Sequence, residues 1–429
     1  MDSDFLLREI QRSGINDAEI QISLLDETSD IFKVSPIKSN FIEKKNARII
    51  NVDCIYKKRK GSLHLLTDEN INFQDIIKKV YNIARFFGSK DIQTNFYFSK
   101  LKLKQKCKIK NRNNFSETIS LINKYLPKEG KVRASLEREN QEFYCANDSG
   151  ARVEYSNSTS YFENQFIYSD MNKKATGFDV IESKKFTSYD IENSFKKSKL
   201  MAKSMLNASK APTTYGKLIL DPLASINFLS SLIDTLNGEY VVNNTSFMSK
   251  YLNKEVASKL VNIREVKSIN GSFYNRKFDD EMVPTTNKFF IKKGVLKNFI
   301  NNIYSAEKLK QKPLGNSFNV TFGSLRPTNL VFNKGKTSIE DMIKEVDKGI
   351  YLVDTGDSPN ISTGDISYSI SIGYYIENGE IKYPVKESLI GSNILSMLKN
   401  ISIISLETKF LYGIKAPALL IDNVKISGR

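Results

Sequence analysis

The chain has 429 residues, 40% hydrophobic and 26% charged, which excludes a disordered or low-complexity polypeptide and leaves room for two or three domains around a large core. No run of about 18 apolar residues occurs to make a membrane-spanning helix, and Cys54, Cys107 and Cys145 form neither a CxxC pair nor a disulfide framework. The formal charge of +16 permits an acidic partner without singling one out, because the lysines are spread along the chain among many Asn and Ile.

The opening MDSDFLLREIQRSG carries acids early and lacks a long apolar run, unlike a secretory signal, so a cytoplasmic location is expected. Residues Ser3–Arg12 read as a short helix capped by Ser3 and followed by Gly14. Strands are expected at Ala18–Leu25, Ile31–Ile37 and Ala47–Tyr56; the basic turn 57–60 then leads through Gly61 into Ser62–Leu66 as a hairpin. Ile76, Val80, Ile83 and Phe87 mark one face of a helix that Gly88 stops. A further helix runs from Ser116 to just before Pro127. Strands follow at Lys131–Glu137, Glu142–Asn147, Arg152–Tyr155 and Ser160–Ser169, and a helix over Ser188–Leu206 closes this half.

Between these elements, SKLKLKQKCKIKNR alternates strictly. Lys100, Lys102, Lys104, Lys106, Lys108 and Lys110 fall on one side of a strand, and Leu101, Leu103, Cys107 and Ile109 on the other. Such a row is a solvated edge that discourages further pairing, or a docking surface for an acidic partner subunit or for nucleic acid. No aromatics interleave with these lysines and no helix-turn-helix or RNA-binding signature occurs, which counts against nucleic acid.

The Pro- and Gly-punctuated segment 209–216 is the expected linker, dividing the chain into residues 1–212 and 213–429. Beyond it, Lys217–Leu220 reads as a strand, and Asp221 caps a helix with Pro222 in its first turn and Gly238 past its end. Phe289–Ile291 and Val295–Ile300 read as a hairpin, and Ser338 with Asp341 opens a helix expected to reach Gly349. Asn378-Gly379 joins strands Ile366–Ile376 and Glu380–Val385. The fold class is α+β: an N-terminal mixed helix and antiparallel-sheet domain, then a β-rich C-terminal domain.

Chemistry-bearing patterns are sparse. His64 is the one histidine, no serine sits in GxSxG, and no spacing joins His64 to a cysteine and a carboxylate as a zinc site. Asp279, Asp280 and Glu281 offer oxygens for a hard cation, but three consecutive acids point in different directions and read better as a solvated turn.

Several phrases stand in an order that resembles the TldD/PmbA family. They are DSGARVEYS at 148–156, Tyr215-Gly216 with Leu218–Pro222, DDEMVPTT at 279–286, and the following IKKGVL hairpin. Asn316 with Arg326-Pro327 and Asn329-Leu330 continues the series, residues 360–393 carry its most specific signature, and Ala416-Pro417 completes it. The likeness runs along nearly the whole chain and is weakest over 90–140 and 240–270.

That resemblance implies a cytoplasmic metallopeptidase system in which a TldD-type subunit with a HExxxH helix pairs with a PmbA/TldE-type subunit lacking it. Two histidines on one helix face bind zinc, and the glutamate activates its water. In this chain the corresponding helix, after Asp221, reads LASINFLSSLIDTL, with serines and Thr235 where ligands belong. The resemblance therefore implies a non-metal subunit without catalytic or metal-binding residues, zinc being expected in a TldD-type partner. Dimerisation with that partner, or as a homodimer, would enclose a chamber for unfolded or short peptides. A peptide-binding role falls to Thr363, Gly364, Asp365, Ser367 and Ser369, where an extended chain would add as a strand.

Overall fold

The computed structural model describes residues 1–36, 40–67, 71–88, 104–108 and 115–428, with 104–108 as backbone alone. The N-terminal half is built on α1 Ser3–Arg12, β1 Glu19–Val34, β2 Asn40–Tyr56, β3 Arg59–Thr67, α2 Phe73–Asn82 and β4 Lys104–Lys108. It continues through α3 Phe115–Tyr125, β5 Lys131–Asn147, β6 Arg152–Asp170, β7 Lys173–Ser183 and α4 Ser188–Ser204. The strands form one sheet in the order β3-β2-β1-β5-β6-β4, with β7 also on β6; among the described pairings of this sheet only β4–β6 is parallel.

Alternation along these strands decides what each face meets. Ile20, Ile22 and Leu24 of β1, with Ile50 and Val52 of β2, point to α1 and α2, where Leu6, Ile10, Ile77 and Val80 complete a cluster. Phe162 and Phe166 of β6 point the same way, to Ile122 of α3 and Phe195 of α4. The opposite face carries Gln21, Ser23 and Leu25, and Leu25 packs with Phe143 and Val153 against Met282 and Val320 of the C-terminal half.

Several expected strands fuse. Asp26–Asp30 looks like a break in sequence, yet β1 runs through it because Arg48 pairs with Asp26 at 2.6 Å and Arg138 with Asp30, satisfying charge across the ladder. β5 and β6 likewise each join two expected strands, and β7 was not anticipated. The cap of α1 is Asp2, whose Oδ1 accepts from Phe5 N–H at 2.8 Å, while the Ser3 hydroxyl donates to Glu154. After α2 a wide π turn over 83–87 rotates the helix face, so Ala84 is buried and Phe87, expected inward, is exposed.

The C-terminal half begins with β8 Thr214–Leu220, α5 Pro222–Thr235, α6 Gly238–Val242, β9 Ile263–Glu265, and the hairpin β10 Lys288–Lys292 with β11 Val295–Leu296. Next come α7 Ile303–Lys308, β12 Ser317–Phe318, β13 Ser324–Leu325, β14 Leu330–Phe332, α8 Ile339–Lys344 and β15 Lys348–Asp354. The chain ends with β16 Asp365–Ser369, β17 Ile372–Glu377, β18 Glu380–Val385, β19 Leu389–Asn393, α9 Ile394–Lys399, β20 Ile401–Leu411 and β21 Ile414–Ser427. Except for the small β12–β13 pair these strands share one mixed sheet, in which β21 lies between β14 and β8 and also pairs with β19 and β20. α5 packs Leu229 and Leu232 into the main core with Leu220, Leu352 and Leu419.

Residues 366–376 are not one strand. Ile370 N–H bonds to Ser388 O at 3.0 Å and Ser371 N–H to Asp354 O at 3.1 Å, so successive amides serve different ladders and the chain crosses between them. β16 therefore pairs with β19, and β17 with β15 and β18. The Asn378-Gly379 turn forms as expected, with φ of 52° and 75°. α8 stops at Lys344 rather than reaching Gly349, which lies in β15 where a Cβ would stand 2.2 Å from Lys217 O of β8.

Candidate functional site

Helix α5 begins where Asp221 Oδ1 accepts from Leu223 N–H at 2.8 Å, while Oδ2 accepts from the Tyr351 hydroxyl at 2.5 Å. Burial pushes the Asp221 carboxyl above the usual range despite these bonds. Three of the four hydroxyls along α5 are turned back on the main chain: Thr235 Oγ1 donates to Leu232 O at 2.7 Å, Ser231 Oγ to Asn227 O at 3.1 Å and Ser225 Oγ to Leu220 O at 3.5 Å. Leu229, Leu232 and Ile233 fill the space beside them. Zinc needs imidazole, thiolate or carboxylate donors that converge, and this donor set does not fit it. Among the described residues, no three of His, Cys, Asp and Glu gather in a way that could hold a metal ion. His64 lies exposed on the β2–β3 hairpin opposite Asn51.

The structure brings Thr363, Gly364, Asp365, Ser367 and Ser369 together along the start of β16. Ile366 and Tyr368 are buried in the main core, and Asp365, Ser367 and Ser369 are exposed on the other side of the strand. The turn is a clasp onto α9: Asn393 Nδ2 donates to Thr363 O at 3.0 Å and to Asp365 Oδ1 at 3.1 Å, and Ile394 N–H donates to Gly364 O at 2.8 Å. Bonds from Thr363 and then Asn393 hold the Asp365 carboxyl below its ordinary value. The outward edge of β16 is occupied at both ends, since Asn360 N–H donates to Asp365 O at 2.9 Å and Ser369 N–H to Asp357 Oδ2 at 2.5 Å. Ser367 lies between them. Gly364 adopts φ +78°, and a Cβ there would come within 2.8 Å of the Phe247 ring. Gly364→Ala is expected to destabilise the fold by about 1–3 kcal/mol, read as a lower urea midpoint.

The acidic trio overturns the expectation of a solvated turn. Asp279 and Asp280 are 1% and 3% exposed, and the segment is wedged between the halves. Consecutive acids do point apart, but each finds its own backbone partner. Asp279 Oδ2 accepts from Ser317 N–H at 2.9 Å, and Asp280 Oδ2 from Val320 and Thr321 N–H at 2.8 and 2.9 Å. Glu281 Oε2 accepts from Ile303 N–H, at the start of α7, at 2.8 Å. Burial raises all three carboxyls, those of Asp280 and Glu281 to about 7. Beside them Arg276 stacks over the Tyr155 ring, 4.2 Å from its centroid, and donates to Gln141 Oε1 at 3.3 Å. The available signal for this junction was the polar alternation Gln21/Ser23 and Asn51/Asp53, which leaves one sheet face too polar for a dry core.

Of the lysine row, Lys104, Lys106 and Lys108 lie on β4, the edge strand beside Arg152–Ser156 of β6. Lys100, Lys102 and Lys110 fall outside the described residues.

A mixed C-terminal sheet with a capped helix after its first strand, joined to an antiparallel N-terminal sheet, defines a recognisable class. A family model described as the PmbA/TldA metallopeptidase C-terminal domain matches residues 212–428, and the chain belongs to the TldD/PmbA family. In sequence it is 28% identical over 226 residues to a metalloprotease PmbA homologue of Buchnera aphidicola subsp. Acyrthosiphon pisum, aligning 52% of this chain and 49% of that protein. A metalloprotease TldD homologue of the same organism is 30% identical over 212 residues, 45% of this chain and 44% of its own. The chain thus spans about half the length of these curated relatives. In fold it matches TldE from Thermococcus kodakarensis with a TM-score of 0.81 at 20% identity, over 99% of each chain. It also matches a Thermotoga maritima protein described as a candidate modulator of a DNA gyrase, with a TM-score of 0.84 at 21% identity over 99% of each chain.

Proposed function

We propose that this chain is the non-metal, PmbA/TldE-type subunit of a cytoplasmic TldD/TldE-type metalloprotease system acting on unfolded or short peptides. The observation that carries this reading is α5: in a chain with this family's fold, the helix offers back-bonded hydroxyls and leucines instead of converging zinc donors. In this reading the chain contributes walls rather than chemistry, covering the cleft of a zinc-bearing TldD-type partner and excluding folded substrates. The exposed side of β16, with Ser367 at its centre, is assigned to passing peptide, and the lysine row to an acidic surface of the partner.

The test is peptidase activity on unfolded peptides, with the purified chain alone and mixed with a TldD-type subunit from the same source. Activity in the mixture alone, abolished by a chelator, is the expected result. Cleavage by the isolated chain, together with near-stoichiometric bound zinc, would overturn the assignment.

A further inference from the structure

We propose that the cleft between the two halves is a binding site for a primary ammonium group, carried by a linear amine or by a peptide. The cleft is a cavity of about 190 Å³, far more than the ~15 Å³ that one water requires. Its floor is two rows of the N-terminal sheet. Ser62, Asp53 and Gln21 stand opposite one another in register, as do His64, Asn51 and Ser23. Its roof is Glu239, Glu281 and Asn302 of the C-terminal half, and exposed Ser62, His64 and Asn319 line its mouth.

The lining holds one lysine, Lys60, against four carboxyl groups, Asp53, Glu239, Asp280 and Glu281, and part of its acceptor capacity is left over. Gln21 is 3% exposed, and its Nε2 donates to Asp280 O at 2.9 Å. A carbonyl can only accept, so the amide orientation is fixed and Oε1 is left buried without a donor. An orphaned buried acceptor is costly and points to a missing partner. Two carboxylates beside it also have room. Glu239 accepts from Asn302 through Oε1 and Glu281 from Ile303 through Oε2, each with a second oxygen that makes no hydrogen bond among the described residues, while the Lys60 ammonium acts on both as a nearby charge. Asp53 is different, because Ser62, Asn51 and the Lys60 ammonium, 3.1 Å away, already occupy it. Asp280 is likewise satisfied by Val320 and Thr321.

Three open acceptors, two of them carboxylate oxygens, match the three N–H donors of one –NH3⁺ group. An anion would meet four carboxyl groups against the single lysine of the lining. A divalent metal would need a gathering of three or more His, Cys, Asp or Glu ligands, which the described residues do not provide, whereas here an amide oxygen stands with two carboxylates. The polar mouth and narrow volume favour an ammonium on an unbranched chain. This inference stands apart from the subunit assignment, since it requires neither a zinc-bearing partner nor hydrolysis.

Calorimetric titration of the whole chain tests it, with cadaverine, N-acetyl-lysine amide and diglycine amide as probes and tetramethylammonium as the donor-free control. Saturable binding of cadaverine at millimolar concentration or below, without binding of tetramethylammonium, is expected. Glu239→Gln and Glu281→Gln should each weaken it about tenfold, the size of one charge-assisted hydrogen bond, while their melting temperatures report that both variants fold. Binding of N-acetyl-lysine amide identifies a lysyl side chain as the source, binding of diglycine amide a peptide N-terminus, and binding of cadaverine alone a free amine. Failure of all three amines, equal binding of tetramethylammonium, or unchanged affinity in both variants overturns the proposal.

Discussion

Glu265→Ala is expected to lower the unfolding free energy by about 3–5 kcal/mol, the cost of breaking a buried ion pair from one side. Glu265 is fully buried at the end of β9, and Lys288 of β10 reaches it at 2.5 Å while itself only 6% exposed at the side chain. Around this pair the remaining oxygen capacity is filled: Thr328 donates through both N–H and hydroxyl at 2.9 Å, and Asn316 Nδ2 at 2.8 Å. Removing the carboxylate strands a lysine whose affinity for its proton burial already lowers, and leaves Thr328 and Asn316 donors unpaired. The pair is thus an interaction that is expensive to break without being a source of large net stability. The double replacement Glu265→Gln with Lys288→Met should recover much of the loss, because no buried charge then remains. Urea midpoints of the three proteins give the answer; a Glu265→Ala midpoint equal to that of the parent would show that water reaches Lys288.

This network also gives physical content to a phrase that sequence offers only as likeness. In the run containing Asn316, Arg326-Pro327 and Asn329-Leu330, each polar residue ties its loop to another segment of the chain. Asn316 also donates to Arg326 O at 3.1 Å, Asn329 Nδ2 to Val266 O at 3.0 Å, and Arg326 to Tyr412 O at 2.9 Å. The class, the helix after Asp221 and the Asn378-Gly379 hairpin were legible because local rules govern them: a cap, a period, a turn needing positive φ. The strand count was not. Asp26–Asp30 and 138–141 are polar runs that read as loops until their cross-strand partners are known, and those partners lie about a hundred residues away in the case of Arg138 and Asp30. The acidic trio failed for a related reason. Local chemistry says that three adjacent carboxylates belong in water, whereas main-chain donors from 303, 317, 320 and 321 reach them only once the C-terminal half is assembled. Of the candidate site, the single histidine was visible from composition, but the uncommitted acceptors around Gln21 depend on which face of β1 meets the other half.

Those same buried acids make stability depend on pH, with the sign opposite to that of ordinary surface carboxylates. Asp280 is pushed up to about 7 by burial, against roughly 3.9 in an unfolded chain, so between these values the native state keeps a proton that the unfolded state releases. Stability from this group therefore falls as pH rises from about 4 to 7 and levels off above. Glu281 and Glu139, both raised to about 7, act in the same direction, and the Arg276 guanidinium opposes the rise at Asp280 without cancelling it. Asp280→Asn separates the contribution of one residue. The asparagine oxygen can accept from Val320 and Thr321 N–H as Oδ2 does, and its amide can donate to Thr321 Oγ1, 3.1 Å from Oδ1, as the protonated acid would. Relative to the parent, the variant should gain about 2–3 kcal/mol on going from pH 5 to pH 8, measured as the difference in unfolding free energies at the two values. Parallel pH profiles for parent and variant would mean that Asp280 ionises in its ordinary range, and that the junction between the halves holds a fixed negative charge at neutral pH.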